Sequence, residues 1–359
     1  MSGHLLLLCA ALFAATRVPP EAPQTPTDHV RAGQQYQQQG RLQEAEEEYR
    51  KAVDLDPADA DLASLYAHVL LGQLCSARGD YACAIPQLQR ALRRDPTLAK
   101  AHYYLGITFT LDGQKDKAVP ELAEAARLEP ESAAFHYYLG LALLDVARDA
   151  EAADALQRAV TLDPTDVAAR TNLAWALINI GRNREATSVL DSVLRLDPRD
   201  PSAWFLRGEA RRRLGDTDAA IADFEKSVAI DDRAEDALFS LGTIYYLRQD
   251  FDRASDYFAR LLTLDADHVG AHYGMAKILL KRGRAADAVT HLVTCVTKDP
   301  RNKGAHYQLA QAYRRLGEAD KAEKELQVFR SLGGDVADVD AGAVERLRKR
   351  PGGGGATDR

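Results

Sequence analysis

Apolar residues in this chain recur at helical spacing in paired runs, each pair divided by a short polar turn. One pair predicts a helix over residues 99–111, a turn at Asp112 and Gly113, and a second helix over residues 116–128. Leu105, Gly106 and Phe109 share one face of the first helix, and Ala118, Leu122 and Ala125 share one face of the second. The arrangement then returns: Ala84, Ala118, Ala152, Ala186, Ala220, Ala254, Ala288 and Ala322 stand 34 residues apart. A fixed period of this size predicts a solenoid, in which each unit buries its apolar face only against its neighbours. Small residues at Gly106 and Ala118 let two helix axes approach to about 8–10 Å, so the alanine column is a steric requirement.

Nine copies fit this register. Repeat three carries Leu105, Gly106, Phe109, Ala118, Leu122 and Pro130, and repeat seven carries Leu241, Gly242, Tyr245, Ala254 and Phe258. Repeat six supplies a large aromatic as Trp204, and repeat one shows Gly33, Tyr36, Ala45, Tyr49 and Pro57. The pattern resembles the tetratricopeptide repeat, a helix-turn-helix unit with preferences for Trp-x2-Leu-Gly-x2-Tyr, then Ala, Phe and Pro. The resemblance runs over residues 27–334 and implies an all-α fold, a right-handed superhelical solenoid of helix-turn-helix repeats. Two departures are local. Pro57 and Pro96 are five residues further apart than the period allows, which is expected to lengthen the first helix of repeat two behind an Asp61 cap. Asp232, Ala266 and Gly334 stand where other repeats close with Pro, yet burial of the helix faces supplies most of the stability, so an unbroken array is expected.

The repeat overrides the domain count that 359 residues would suggest. The chain divides into a signal peptide and Pro-rich leader (1–25), a nine-repeat solenoid (26–334), a capping helix (335–350) with Val339, Val344 and Leu347 facing the last repeat, and a Gly-rich tail (351–359). The apolar run 5–15, followed by Thr16-Arg17, is shorter than the roughly 20 residues a membrane span needs. Ala14 and Ala15 suit cleavage, although no Lys or Arg precedes the run. The expectation is export to a periplasm or the exterior, with a cytoplasmic chain or one anchored by an uncleaved N-terminal segment as the alternative, and no stable membrane span. A net charge of −7 offers no field for phosphate, which argues against nucleic acid, and Arg348-Lys349-Arg350 reads as a solvated helix end. Four cysteines are not a disulfide framework, but Cys75 and Cys83 flank the turn at Gly79-Asp80 and could pair in an oxidising compartment, while Cys295 reads as a small core residue.

His29, His102, His136, His272 and His306 recur at one repeat position and invite a metal reading. Equivalent positions in stacked repeats lie at least a helix diameter apart, roughly 10 Å, whereas a shared zinc needs nitrogens about 2.0–2.1 Å from the ion. A packing role is the expectation, with no metal and no cofactor. No nucleophile elbow, zinc-protease motif, dinucleotide fingerprint or phosphate loop is present, and the repeats consume the chain, so no catalytic site is expected.

The resemblance places the first helices on a concave wall. There it implies a partner-binding groove of Tyr103, Tyr104, Ile107, Tyr137, Tyr138, Leu141, Trp175, Phe205, Phe239, Tyr246, Tyr273 and Tyr307. Rigid aromatics dominate binding hot spots, although any one ring could instead pack between neighbouring helices. The Lys and Asn set by which chaperone-binding members of the family hold a C-terminal carboxylate is not reproduced: Asn172 stands at one such position, but Val30, Tyr103, Tyr137 and Thr171 stand where Lys is needed. The expected function is a non-catalytic scaffold or adaptor that binds a peptide segment of a partner protein. The alternatives are a structural spacer, a solenoid that self-associates through its ends, and an accessory subunit of an envelope or export complex.

Overall fold

The computed structural model describes residues 25–56 and 61–334; the expected signal peptide, capping helix and tail lie outside the described residues. The described residues form eighteen helices and no strand, and the chain divides into two compact units, Met1–Ile180 and Gly181–Arg359. The first unit pairs α1 (Pro26–Gln38) with α2 (Leu42–Asp54), α3 (Leu62–Ala77) with α4 (Tyr81–Arg94), α5 (Ala99–Leu111) with α6 (Lys115–Leu128) and α7 (Ala133–Asp145) with α8 (Asp149–Leu162), and ends on α9 (Val167–Asn179). The second begins with α10 (Asn183–Leu196) and pairs α11 (Pro201–Arg213) with α12 (Thr217–Ile230), α13 (Glu235–Leu247) with α14 (Phe251–Leu264), α15 (Val269–Lys281) with α16 (Ala285–Lys298) and α17 (Lys303–Arg315) with α18 (Ala319–Ser331). Within each unit every helix packs on the next in sequence, and first helices of adjacent repeats also touch, as α5 does α7 and α13 does α15.

The local reasons are visible in the sequence. Ser132 and Asp166 in the first unit, and Asp200, Asp216 and Asp250 in the second, turn a side-chain oxygen onto backbone N–H groups of the following helix. Seven of nine hairpin turns place Gly at a positive φ, as Gly113 does at 78°; Ala147 and Gln249 take the same conformation without that freedom. The repeated alanines are all 2 % exposed or less. A Cβ added at Gly106 would lie 2.5 Å from Leu122 Cγ, so α5 and α6 meet at a contact that admits no side chain. Helix α3 runs to 16 residues and is capped by Asp61, whose side chain accepts from the Ala63 N–H, as the spacing after Pro57 predicts.

The recurrent histidines use Nδ1 to hold the two helices of one repeat together and Nε2 to reach the close of the repeat before. In the first unit Nδ1 of His29, His68 and His102 lies 2.6 Å from Glu48, Gln87 and Glu121 on the following helix. Nε2 of His102 and His136 donates to the Pro96 and Pro130 carbonyls, each at 3.0 Å. In the second unit His306 repeats both bonds with Glu325 (2.6 Å) and the Pro300 carbonyl (3.1 Å). His272 meets His291 at 2.7 Å and the Ala266 carbonyl at 2.9 Å, and burial, with the neighbouring His272, holds His291 below the usual histidine range. Trp204 donates Nε1 to the Pro198 carbonyl at 2.9 Å, and Arg170 reaches the Pro164 carbonyl in the same way. Each such donor fastens a first helix to the closing residue of the repeat before it. Where both nitrogens are engaged, as in His102, His272 and His306, neither remains to ligate a metal.

Cys75 and Cys83 are joined in a disulfide, with Cα atoms 5.8 Å apart, inside the separation of about 7 Å that a bridge allows. The bond links the last turn of α3 to the first of α4. Cys295 is fully buried, and that burial pushes its thiol up to about 11.

Candidate functional site

The first helices of the first unit bring four tyrosines and a tryptophan together. Tyr103 touches Tyr104 (centroids 5.1 Å), Phe135 (4.8 Å) and Tyr138 (5.3 Å, edge to face), and Tyr138 touches Tyr137 at 5.3 Å in the same geometry. The Asn172 amide on α9 reaches the Tyr137 hydroxyl at 3.5 Å. Edge-to-face packing hands each ring's positive rim to its neighbour's negative face, and fixes the set. Burial pushes the phenols of Tyr103, Tyr104 and Tyr137 above their ordinary value, so all three stay neutral hydrogen-bonding groups.

Beside this cluster lies a cleft of about 400 Å³, large enough for a side chain or two. Ile107, Tyr138, Leu141 and Leu144 line its apolar wall, and Leu111 and Trp175 stand at 55 % and 41 % exposure. Its polar lining includes Thr110, the Asn172 amide and the Asp145 carboxylate, which lies 3.8 Å from Lys115. Its size and apolar wall match an apolar side chain, and its polar lining supplies hydrogen-bonding groups beside that wall. Seven sequence-predicted residues belong to this unit: Ile107, Tyr138, Leu141 and Trp175 line the cleft, whereas Tyr103, Tyr104 and Tyr137 flank it. Leu111, Leu144 and Asp145 were not anticipated, although Leu111 lies one turn beyond Ile107 on the same helix face.

The five predicted residues of the second unit divide in two. Phe205 packs on Phe224 (5.7 Å), Phe239 on Phe258 (6.1 Å) and His268 (5.4 Å), and Tyr307 on Phe329 (5.3 Å). A Cβ at Gly270 would lie 2.7 Å from the Phe239 ring, so the ring occupies the space that this glycine leaves on the next first helix. These three rings are engaged in repeat packing. Tyr246 and Tyr273 instead hold Lys277, whose ammonium lies 4.3 Å and 5.5 Å from their centroids.

A family model described as the Cilia and flagella-associated protein 70 C-terminal domain matches residues 10–203, more than half of the chain. Two tetratricopeptide repeat models match residues 173–239 and 279–335, and a model of Anaphase-promoting complex, cyclosome, subunit 3 matches residues 213–295. No curated protein matches the chain. Among solved structures, YrrB, a TPR protein with an unusual peptide-binding site, is 25 % identical; the match covers 54 % of this chain and 96 % of that one, with a TM-score of 0.50. The APC/C hetero-tetramer Cut9–Hcn1 is 18 % identical over 75 % of this chain and 52 % of that chain, with a TM-score of 0.53, which shows the fold. A MamA protein is 25 % identical, covering 47 % of this chain and 92 % of that one, at a TM-score of 0.45.

Proposed function

The chain belongs to the tetratricopeptide-repeat family, and from that premise we propose that it is a non-catalytic scaffold whose first unit captures a peptide segment of a partner protein. The observation that carries this reading is the cleft between α5, α7 and α9, where Trp175 and Leu111 expose apolar surface beside a fixed ring cluster. Exposed aromatic surface next to a pre-formed pocket is the arrangement that concentrates binding energy. The YrrB likeness supports it at the level of a peptide-binding relative. The test uses the full chain and a peptide selected on it from a random library. Tyr138→Ala with Trp175→Ala is expected to weaken that peptide by about 2 kcal/mol or more, roughly thirtyfold, while circular dichroism stays unchanged. An unaltered affinity in the folded double variant would remove the cleft from the account.

The Cys75–Cys83 bond supports the reading of an exported chain, because such bonds persist where thiols are not kept reduced. Protein isolated from its native compartment and alkylated without reductant should carry the 75–83 bridge. Free thiols at both positions would speak for a cytoplasmic chain.

A further inference from the structure

One member of the histidine row meets an unlike partner. Among the described residues, His29, His102 and His306 direct Nδ1 at a glutamate of the following helix and His68 directs it at a glutamine, each 2.6 Å away. In repeat eight the same position of α16 holds a second histidine, so His272 Nδ1 faces His291 Nδ1 at 2.7 Å, with ring centroids 5.0 Å apart. The acceptors fix the protons. The Ala266 carbonyl, 2.9 Å from His272 Nε2, can only accept, so that nitrogen carries a hydrogen. In the neutral ring Nδ1 is then the acceptor, and His291 donates to it from its own Nδ1. His291 Nε2 is left for a first added proton and His272 Nδ1 for a second. That second proton sets N–H against N–H at the contact and two like charges side by side. At His102 or His306 a proton on Nδ1 instead meets a carboxylate and strengthens the bond.

We infer that the His272–His291 contact is an acid-operated latch, which closes α15 on α16 near neutral pH and releases that hairpin when the surroundings acidify. The groups around the pair do not compensate the added charge. Asp287, one turn before His291 on α16, favours the charged ring, but burial and His272 outweigh it, and Asp287 is bound to Arg284 at 2.6 Å. On α15, one turn before His272, His268 accepts from the Ala271 N–H and packs on Phe239. At the turn between α14 and α15, Asp265 accepts from the Asp267 N–H, and Asp267 pairs with Lys298 at 2.5 Å. One repeat back, on α13 and α14, the matching positions hold Leu238 and Tyr257; one repeat on, on α17 and α18, they hold His306 and Glu325, which bind each other. With His291 held below the ordinary histidine value, the opened hairpin binds more protons than the closed one between the two values. The stability this contact contributes is therefore intact above about pH 6.5 and is lost as pH falls through the lower value of the closed pair. Repeats couple chiefly to their neighbours, so the opening centres on repeat eight. The latch lies in the second unit and is independent of the cleft in the first.

Hydrogen–deuterium exchange of the full chain, read by mass spectrometry at about pH 7.5 and about pH 5 and corrected for the intrinsic pH dependence of exchange, tests the latch. Amides of α15 and α16 are expected to exchange roughly tenfold faster at the lower pH, relative to those of α5 and α6, where His102 faces Glu121. His291→Glu gives repeat eight the partner found in repeat three and should abolish that response. His291→Gln, which copies the His68–Gln87 pair, should diminish it. Should both variants fail to fold, Glu121→His builds the histidine pair in repeat three and should carry the acid response to α5 and α6. No acid response in α15 and α16, a response spread evenly over the repeats, one that survives His291→Glu, or none in α5 and α6 of Glu121→His would each overturn the assignment.

Discussion

Asp223→Ala is expected to destabilise the second unit by about 3–5 kcal/mol, the cost typical of removing one partner from a buried ion pair. The Asp223 side chain is 2 % exposed and accepts three charged hydrogen bonds: from Arg207 Nε at 3.0 Å, Arg207 Nη2 at 2.7 Å and Arg211 Nη1 at 2.9 Å. Arg207 also donates to Asp191 at 2.6 Å and lies over the Trp204 ring at 4.6 Å. Its side chain is only 12 % exposed, so the guanidinium cannot recover in water what it loses with Asp223. Arg207 occupies the repeat position that Leu105 and Leu241 fill elsewhere, directly before the close-packed glycine. Urea unfolding followed by circular dichroism reads the effect. Replacing both members, Arg207→Leu with Asp223→Leu, should recover much of the loss, because an apolar pair needs no partners. A loss below about 1 kcal/mol for Asp223→Ala would show that water reaches the arginines after all.

Phe258→Ala is expected to cost the same unit about 3–5 kcal/mol, toward the upper part of that range. The ring is 2 % exposed and wedged between two glycines of different repeats: a Cβ at Gly242 would lie 2.6 Å from it and one at Gly274 2.5 Å. Neither glycine has a side chain that could move into the void, so the cavity cannot collapse from those sides. Hydrogen exchange should show α13, α14 and α15 opening together, since the ring joins one repeat to the next. A coupling test sharpens the expectation: Gly242→Ala is damaging in the wild type and neutral or stabilising beside Phe258→Ala. Equal effects of Gly242→Ala in both backgrounds would mean the ring and the glycine do not share that space.

Much of the fold was legible because its determinants are local and periodic. The alanine column, the turn at Asp112 and Gly113 and the predicted helix over residues 99–111 all rest on sterics that a 34-residue register exposes, and α5 spans Ala99–Leu111. What escaped depends on which side chains meet across helices. The partner of His102 is Glu121, 19 residues on, and nothing in a helical period marks that distance. His68 stands 34 residues before His102 and belongs to the same row, yet was missed; it is His29, 39 residues before His68, that the extra residues after Pro57 shift out of phase. For the candidate site, the sequence placed aromatic rings on the first helices but could not separate those that pack from those that present surface. Phe239 and Trp175 look alike as aromatic residues on first helices, yet one fills the space over Gly270 and the other stands 41 % exposed at a cleft. The placement of Lys277 escaped for the same reason, since it appears only when Tyr246 is brought onto it from another repeat.

The central claim is that a peptide seats in the cleft of the first unit, and Trp175 reports on it directly. The chain has two tryptophans, Trp175 and Trp204, so a Trp204→Phe variant leaves the cleft indole as the only one. Titrating that variant with the library-selected peptide should shift the tryptophan emission to shorter wavelength, saturating with the same affinity as an independent binding measurement. Binding with no change in Trp175 emission would place the peptide elsewhere and contradict the account.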